Sequence, residues 1–418
     1  LKREEVARNQ RARLYGAMIE SVAQRGYRAS TVAHVIALAG VSRRAFYEQF
    51  ANKEQCFLAT YGIVVARTRK HVIDAWLGER GWSNRLHAAG RRLFEDFARE
   101  PKGPRLVLVE SLGAGRRARE HRQLAAVTFE RLVVAGARLA PEPVQTTPLF
   151  PRLAVGGIRQ VAFVHFLQGR ERELATLAED VLDWVEAYRS PAAAALSALP
   201  PPRRAAGAGV PHPARFLAAG DERARALSAL VHLTLDQGYA RLSDPQIAQF
   251  AGISAEAFHG RFAGKQDCFL ALLDDFAAEA LEAVAEPLRL APGWPEGVYA
   301  AMAAFAGHLA AHEALLRMAF VEAFDVGPAI IDRVSQPVAG LTALLTAGAP
   351  PPRHGALVAR DAITGALLAI IAGCVEGRGP QRLPSLVDQL SFAVLAPYLG
   401  AKAGVAAIEA CRDARQAR

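Results

Sequence analysis

Residues 1–137 recur at 213–349 with a constant offset of 212 positions. Like residues hold the register: Gly26-Tyr27 with Gly238-Tyr239, Ala39-Gly40 with Ala251-Gly252, Cys56-Phe57-Leu58 with Cys268-Phe269-Leu270, Trp82 with Trp294, Val109-Glu110 with Val321-Glu322, and Gly136-Ala137 with Gly348-Ala349. A chain written twice must fold as two like modules. Its 418 residues agree, being too many for one ordinary core and enough for two.

Ala, Leu, Arg and Glu dominate and alternating β-branched runs are scarce, so the expected fold class is all-α. Four cysteines without CxxC spacing imply neither a zinc site nor a disulfide framework, and no cofactor is expected. The charged start (Lys2, Arg3, Glu4, Glu5) has no apolar signal-peptide core. The longest apolar run, Ala362 to Val375, is too short to span a bilayer. The expectation is a soluble protein of the reduced cytosol, with no membrane partner.

Charge separates the copies. Residues 1–204 hold 33 Lys and Arg against 20 Asp and Glu, whereas residues 205–418 hold 17 against 21. Within the first 60 residues the balance is 10 to 5, and in the equivalent window 213–272 it is 6 to 6. A basic surplus on one small module is the footprint of a phosphate-backbone binder, although a solvated surface accounts for it as well.

A first helix is expected from Arg8 to Arg25, with Leu14, Met18 and Val22 on one face and Gly26 ending it. Ser30 and Thr31 offer caps for a second helix, Val32 to Ala39, and Gly40 makes the turn. Ser42 caps a third, Arg43 to Phe50, and Asn52 precedes a long fourth beginning at Lys53. Two short helices joined by a tight glycine turn, the second opening with Arg43-Arg44, form a helix-turn-helix.

Gly26-Tyr27, Ser30-Thr31-Val32, Ala39-Gly40-Val41-Ser42, Phe46-Tyr47, Phe50 and Asn52-Lys53-Glu54 resemble the amino-terminal signature of the TetR family of transcriptional regulators. The resemblance implies that Arg43 and Arg44 face base edges, where guanidinium groups pair bidentately with guanine. It implies phosphate contacts for Thr31, Tyr47 and Lys53, with Ser42 at the head of the recognition helix. Leu38, Phe46 and Phe50 are expected in the core. Ile36 departs from the family's small Ala at the helix crossing.

The second copy retains Gly238-Tyr239, Ser243, Ile247-Ala248, Ala251-Gly252-Ile253-Ser254, Phe258, Phe262 and Lys265. Its reading surface differs: Arg43, Arg44, Tyr47 and Val32 become Ala255, Glu256, His259 and Asp244. An acidic Glu256 repels phosphate, and the guanine contacts are gone. Either this head binds a divergent half-site weakly through Ser243, Gln246, Arg261 and Lys265, or it does not bind DNA.

Further amphipathic helices follow each head, near 56–79, 83–100, 104–114, 118–139 and 150–189 (split at Gly169) in the first copy and over 268–400 in the second. Residues 190–214 read as a Pro/Ala/Gly linker, which would reach roughly 75 Å if extended. The expected domains are 1–55 (first helix-turn-helix), 56–189 (first regulatory and dimerisation domain), 190–214 (linker), 215–267 (second, degenerate helix-turn-helix) and 268–418 (second regulatory domain). In the family the last two helices pair between copies. Gly156-Gly157 and Gly365 suit such close approach, or are glycines tolerated in a core.

Phe94, Phe97 and Phe129 in the first copy and Phe305 and Phe320 in the second are either pocket-lining or ordinary core. Glu110 and Glu322 each place a carboxylate in an apolar helix, where it needs a partner, structural or effector-borne. His308 and His312 lie one turn apart, a spacing that can hold a metal. HExxH is absent and no third ligand is evident, so no metal is assigned. Gly113-Ala114-Gly115 mimics a dinucleotide fingerprint but follows no strand. With no catalytic set, an enzyme is not expected.

The expected function is a sequence-specific DNA-binding regulator, a ligand-responsive repressor reading a duplex operator mainly through its first head, with a small apolar effector and the two modules packed as an intrachain pseudo-dimer. Two alternatives stay open: a two-chain homodimer in which the second module is a sensor, and a helical interaction partner that does not read DNA.

Overall fold

A computed structural model describes residues 3–140, 143–196, 214–218, 220–326, 330–377 and 379–416. Most of the linker, residues 197–213, lies outside them. The described residues form helices and turns and no strand. None of the described helices is long and apolar enough to cross a membrane.

By their internal contacts the residues fall into two compact units, 1–143 with 159–182, and 144–158 with 183–418. The first unit opens with α1 (Arg3–Ala29), broken at Gly26, where φ is +72°. It continues through α2 (Val32–Ala39), α3 (Arg43–Gln49) and α4 (Lys53–Leu77). Leu14, Met18, Val22, Val35, Phe46, Phe50 and Phe57 close a shared core, all of them buried. Leu38 is a correction to the sequence reading: it is 46% exposed. Val32, Val35, Ile36 and Ala39 form the inward stripe of α2, and at 100° per residue Leu38 turns away from it.

Next come α5 (Trp82–Arg99), α6 (Lys102–Leu108) and α7 (Arg116–Arg138). The last two helices of the first repeat, α8 (Phe150–Leu167) and α9 (Leu174–Glu186), begin and end respectively in the second unit, as does the short α10 (Pro191–Leu196).

The second unit repeats the order. It contains α11 (Arg215–Ala218), α12 (Glu222–Gln237), α13 (Asp244–Ala251), α14 (Ala255–His259) and α15 (Lys265–Leu290). Then follow α16 (Trp294–Ala311), α17 (Glu313–Arg317), a π turn at Met318–Glu322, α18 (Ala323–Val326) and α19 (Ile330–Thr346). The unit closes with α20 (Ala359–Glu376), α21 (Val387–Leu399) and α22 (Ala401–Gln416).

Inside this unit, residues 144–158 and 183–196 of the first repeat pack on the closing helices of the second. A Cβ at Gly156 would lie 2.5 Å from the Ala369 Cβ and 2.6 Å from the Gly365 carbonyl oxygen. At Gly157 it would meet the Trp184 ring at 2.3 Å. The Tyr188 hydroxyl donates to the Ala393 carbonyl at 2.8 Å, and its ring meets Phe392 edge-on. Asp183 accepts from the Gly355 amide at 3.0 Å. Gly156 is thus required by the close approach of α20, while Gly157 is required first by the Trp184 ring of α9 and then by the Ala362 carbonyl of α20 at 3.0 Å.

Backbone cannot yield as a flexible side chain does, so Gly156→Ala is expected to cost about 1–3 kcal/mol. Gly16→Ala is expected to do the opposite: Gly16 is helical and a Cβ there meets nothing within 4 Å, so the gain is about 0.5–1 kcal/mol. Thermal unfolding of both variants checks the pair. Equal shifts in the same direction would contradict the packing described.

Candidate nucleic-acid interface

The first head is assembled by its caps. The Thr31 hydroxyl accepts from the His34 amide at 3.2 Å, Ser42 from the Ala45 amide at 3.1 Å, and Asn52 from the Gln55 amide at 2.8 Å. Each satisfies an amide that helix geometry leaves without a partner. Gly40 holds the left-handed turn at φ +58°. Arg13 on α1 donates to its carbonyl at 3.0 Å and so fixes α1 against the turn.

This scaffold leaves Thr31, Ser42, Arg43, Arg44 and Tyr47 exposed together at the starts of α2 and α3. A hydroxyl that accepts an amide in a cap still has its own hydrogen to donate to a phosphate. The Arg43 guanidinium lies 5.8 Å from the centre of the Tyr47 ring. Arg44 donates to Glu48 at 3.0 Å, with its side chain 89% exposed. An exposed pair of this kind holds its partners by less than about 1 kcal/mol and exchanges readily for a base edge.

Lys53 is placed differently. Its ammonium donates to the carbonyls of Tyr27 and Ser30, both at 2.9 Å, and sits 4.3 Å from the centre of the Tyr27 ring. Burial lowers its pKa. In the second head Lys265 repeats the clamp, donating to Tyr239 at 3.2 Å and Leu242 at 2.6 Å, 4.6 Å from the Tyr239 ring. A lysine doing the same work in both heads is held there by the fold.

Lys53→Met and Lys265→Met are therefore each expected to destabilise by about 1–3 kcal/mol, the cost of leaving buried carbonyls without donors. Chemical denaturation measures it. No loss in Lys265→Met would contradict the clamp.

The second head keeps the skeleton. Phe258 and Phe262 are buried, their rings 5.5 Å apart as against 5.8 Å for Phe46 and Phe50. Arg225 donates to the Ala251 carbonyl at 3.2 Å, as Arg13 does to Gly40. Asp244 has a role the sequence did not reveal. Gly264 replaces the capping Asn52, and Asp244 reaches across from α13 to accept the Lys265 amide at 2.9 Å.

The four residues considered for weak DNA contact are engaged internally. Gln246 accepts from the Ser243 amide at 2.9 Å and from its hydroxyl at 2.8 Å, as part of a capping box. Arg261 pairs with Glu222 at 3.0 Å, and Lys265 is the clamp. Exposed on the recognition helix are Ala255, Glu256 and His259. The helix also stops at His259, before Gly260, and so is five residues long where α3 has seven.

The family description "Bacterial regulatory proteins, tetR family" matches residues 16–60 and again 226–272, the two heads. The chain carries the amino-terminal DNA-binding domain of TetR-family regulators twice, in tandem. Regulators of this family are not enzymes. No curated protein matches the sequence.

Among solved structures the regulator is similar to three proteins, each spanning about one module. One is the fatty acid degradation regulator FadR of Bacillus halodurans: 16% identity over 42% of this chain and 94% of that one, TM-score 0.38. Another is a TetR family transcription regulator of Marinobacter aquaeolei VT8: 20% identity, 43% and 97% coverage, TM-score 0.33. The third is the transcriptional regulator FadR of Bacillus subtilis in complex with stearoyl-CoA: 17% identity, 42% and 96% coverage, TM-score 0.36.

The candidate pocket residues do not gather in one place. Phe305 and Phe320 come together in an apolar pocket of the second unit, with Leu273, Phe276, Leu316 and Val338. The π turn that carries Phe320 is the kind of helix irregularity that marks functional sites. Glu322 ends that turn, half-buried and outside the lining.

Phe94 and Phe97 instead pack edge to face in the first unit, with Phe97 against Phe166, while Phe129 is half-buried on α7. Glu110 has a structural partner, accepting from the Tyr27 amide at 2.9 Å. It thereby joins the turn after α6 to the residue that Lys53 clamps. Arg105 lies 3.9 Å from Glu110 and donates to the Phe166 carbonyl at 2.7 Å. A polar path thus runs from α8 through Arg105, Glu110 and Tyr27 to the head of α4.

Proposed function

We propose that the chain is a ligand-responsive repressor that reads its operator mainly through the first head, and that one chain, paired within itself, is the working unit. The observation that carries this reading is the contrast at equivalent positions. Arg43 and Arg44 stand exposed on α3, while Ala255 and Glu256 occupy their places on α14. The internal engagement of Ser243, Gln246, Arg261 and Lys265 supports it further.

Intrachain pairing is supported by the packing of Gly156 and Tyr188 against α20 and α21, where a family dimer would use a second subunit. The apolar pocket around Phe305 and Phe320 supports a small apolar effector. Such an effector must bind one arrangement of the heads more tightly than another, or it shifts nothing. The polar path through Glu110 and Tyr27 gives the first unit a means of transmitting strain to its head.

In vitro selection from randomised duplexes, followed by binding of the enriched sequence across a salt series, tests the reading. The expected result is a selected site whose affinity falls steeply with salt, as counterions released from phosphates require. Failure to enrich any sequence would overturn it in favour of a helical interaction protein.

A further inference from the structure

Helix α15 brings a third side chain, Glu279, to His308 and His312 at the end of α16. The ligand atoms of Glu279, His308 and His312 all lie within 4.8 Å of one another. Glu279 is 8% exposed and His312 5% exposed. The Nδ1–H of His312 donates to the His308 carbonyl at 2.8 Å, which leaves the lone pair on Nε2, the tautomer that metal-bound histidines receive from a backbone acceptor. The spacing of His308 and His312 had suggested a metal without a third donor, and Glu279, on the neighbouring helix, supplies it.

The first repeat holds ion-paired side chains at these positions. They are Arg67, Asp96 and Glu100. Arg67 pairs with Glu100 at 2.9 Å, and Asp96 pairs with His71 at 2.6 Å and with Arg92 at 3.1 Å. The second repeat has exchanged a guanidinium and two carboxylates for one carboxylate and two imidazoles. Position 279 itself no longer carries a guanidinium, the nearest being Arg215, whose Nε lies 3.5 Å from a Glu279 oxygen, and two imidazole nitrogen donors have been gained.

We propose that Glu279, His308 and His312 form a binding site for a divalent transition-metal cation of the zinc type. Two imidazole nitrogens and one carboxylate are a donor set that zinc accepts in tetrahedral geometry, with water in the fourth position. The site adjoins the apolar pocket, because Phe276 lines that pocket and stacks on His308 with ring centres 5.6 Å apart. Glu279 also accepts from the Arg215 amide at 3.2 Å, so the metal shares its carboxylate with the first helix after the linker.

The test uses the full chain, stripped with a chelator and titrated with zinc chloride by calorimetry. Wild type is expected to bind a single zinc per chain at this site and to unfold at a higher temperature with zinc present. His308→Gln/His312→Gln is expected to lose that equivalent and the thermal shift. Glu279→Gln, which keeps the shape of the site, is expected to weaken binding by about 100-fold or more, beyond the loss typical of outer-shell changes.

Cobalt(II) added to wild type gives an independent readout that needs no variant, visible d–d bands of a four-coordinate nitrogen and oxygen site. Absence of those bands together with absence of zinc binding by wild type would overturn the proposal in favour of a plain carboxylate–imidazole ion pair. So would zinc stoichiometry unchanged in folded Glu279→Gln and His308→Gln/His312→Gln.

Discussion

Arg43→Ala/Arg44→Ala is expected to abolish sequence-specific operator binding while leaving the fold intact. Both side chains are exposed on α3, and no core residue depends on them. Each bidentate guanine contact contributes roughly 1–3 kcal/mol of discrimination. Losing both therefore weakens specific binding by roughly 30-fold to more than 10⁴-fold, at 1.4 kcal/mol per factor of ten. The remaining affinity should match that of unrelated duplexes, since the hydroxyls of Thr31 and Ser42 and the phenol of Tyr47, proposed as phosphate contacts, are unchanged and exposed. Glu256→Ala in the second head should not weaken binding, and removal of its negative charge should leave affinity equal or slightly raised. Fluorescence anisotropy with the selected duplex and a scrambled control measures all of these. Equal losses from the two heads would contradict the assignment.

The second large effect concerns stability. Asp388 on α21 is buried and takes an ion pair from Arg412 on α22. It also accepts from the Tyr299 hydroxyl on α16 at 3.0 Å. One carboxylate thereby ties three helices of the second unit. Burial, with the adjacent Asp388, pushes the Tyr299 phenol well above its ordinary range, so it stays a donor throughout the working pH range.

Arg412→Met leaves the carboxylate in the core without its ion-pair partner, held by the Tyr299 hydroxyl. The expected cost is about 3–5 kcal/mol, or roughly 6–20 °C in the unfolding temperature of a unit this size. Asp388→Leu/Arg412→Met removes both charges and is expected to recover much of that loss. Differential scanning calorimetry of both variants decides it. A double variant as unstable as Arg412→Met alone would show that packing, and not the unpaired charge, sets the cost.

Much of this architecture was legible because repeats and caps are local signals. The offset of 212 fixed two like modules, and Thr31, Gly40, Ser42 and Asn52 bounded α2, α3 and the start of α4 almost to the residue, while α1 begins at Arg3 and not at Arg8. The close approach at Gly156 was one of two readings the sequence left open, and the position of α20 decides between them.

What escaped depends on partners distant in sequence. Lys53 reads as a cation at a helix start until the Tyr27 and Ser30 carbonyls are seen to surround it. Asp244 reads as a change in the reading surface until Gly264 is seen to need its carboxylate. Glu279 is 29 positions before His308, and no spacing rule joins residues on separate helices. Leu38 was misplaced by its hydrophobicity, although the stripe of Val35 and Ala39 was available to correct it.

The central claim, that a single chain supplies the pairing that a family dimer obtains from two, is tested most directly by mass. Light scattering after size exclusion, on the purified chain free and bound to its selected duplex, measures it. One chain per duplex, on an asymmetric site with guanines facing Arg43 and Arg44, is the result this account predicts. Two chains on a palindrome would contradict it, and would mean that first heads from separate chains read the operator together.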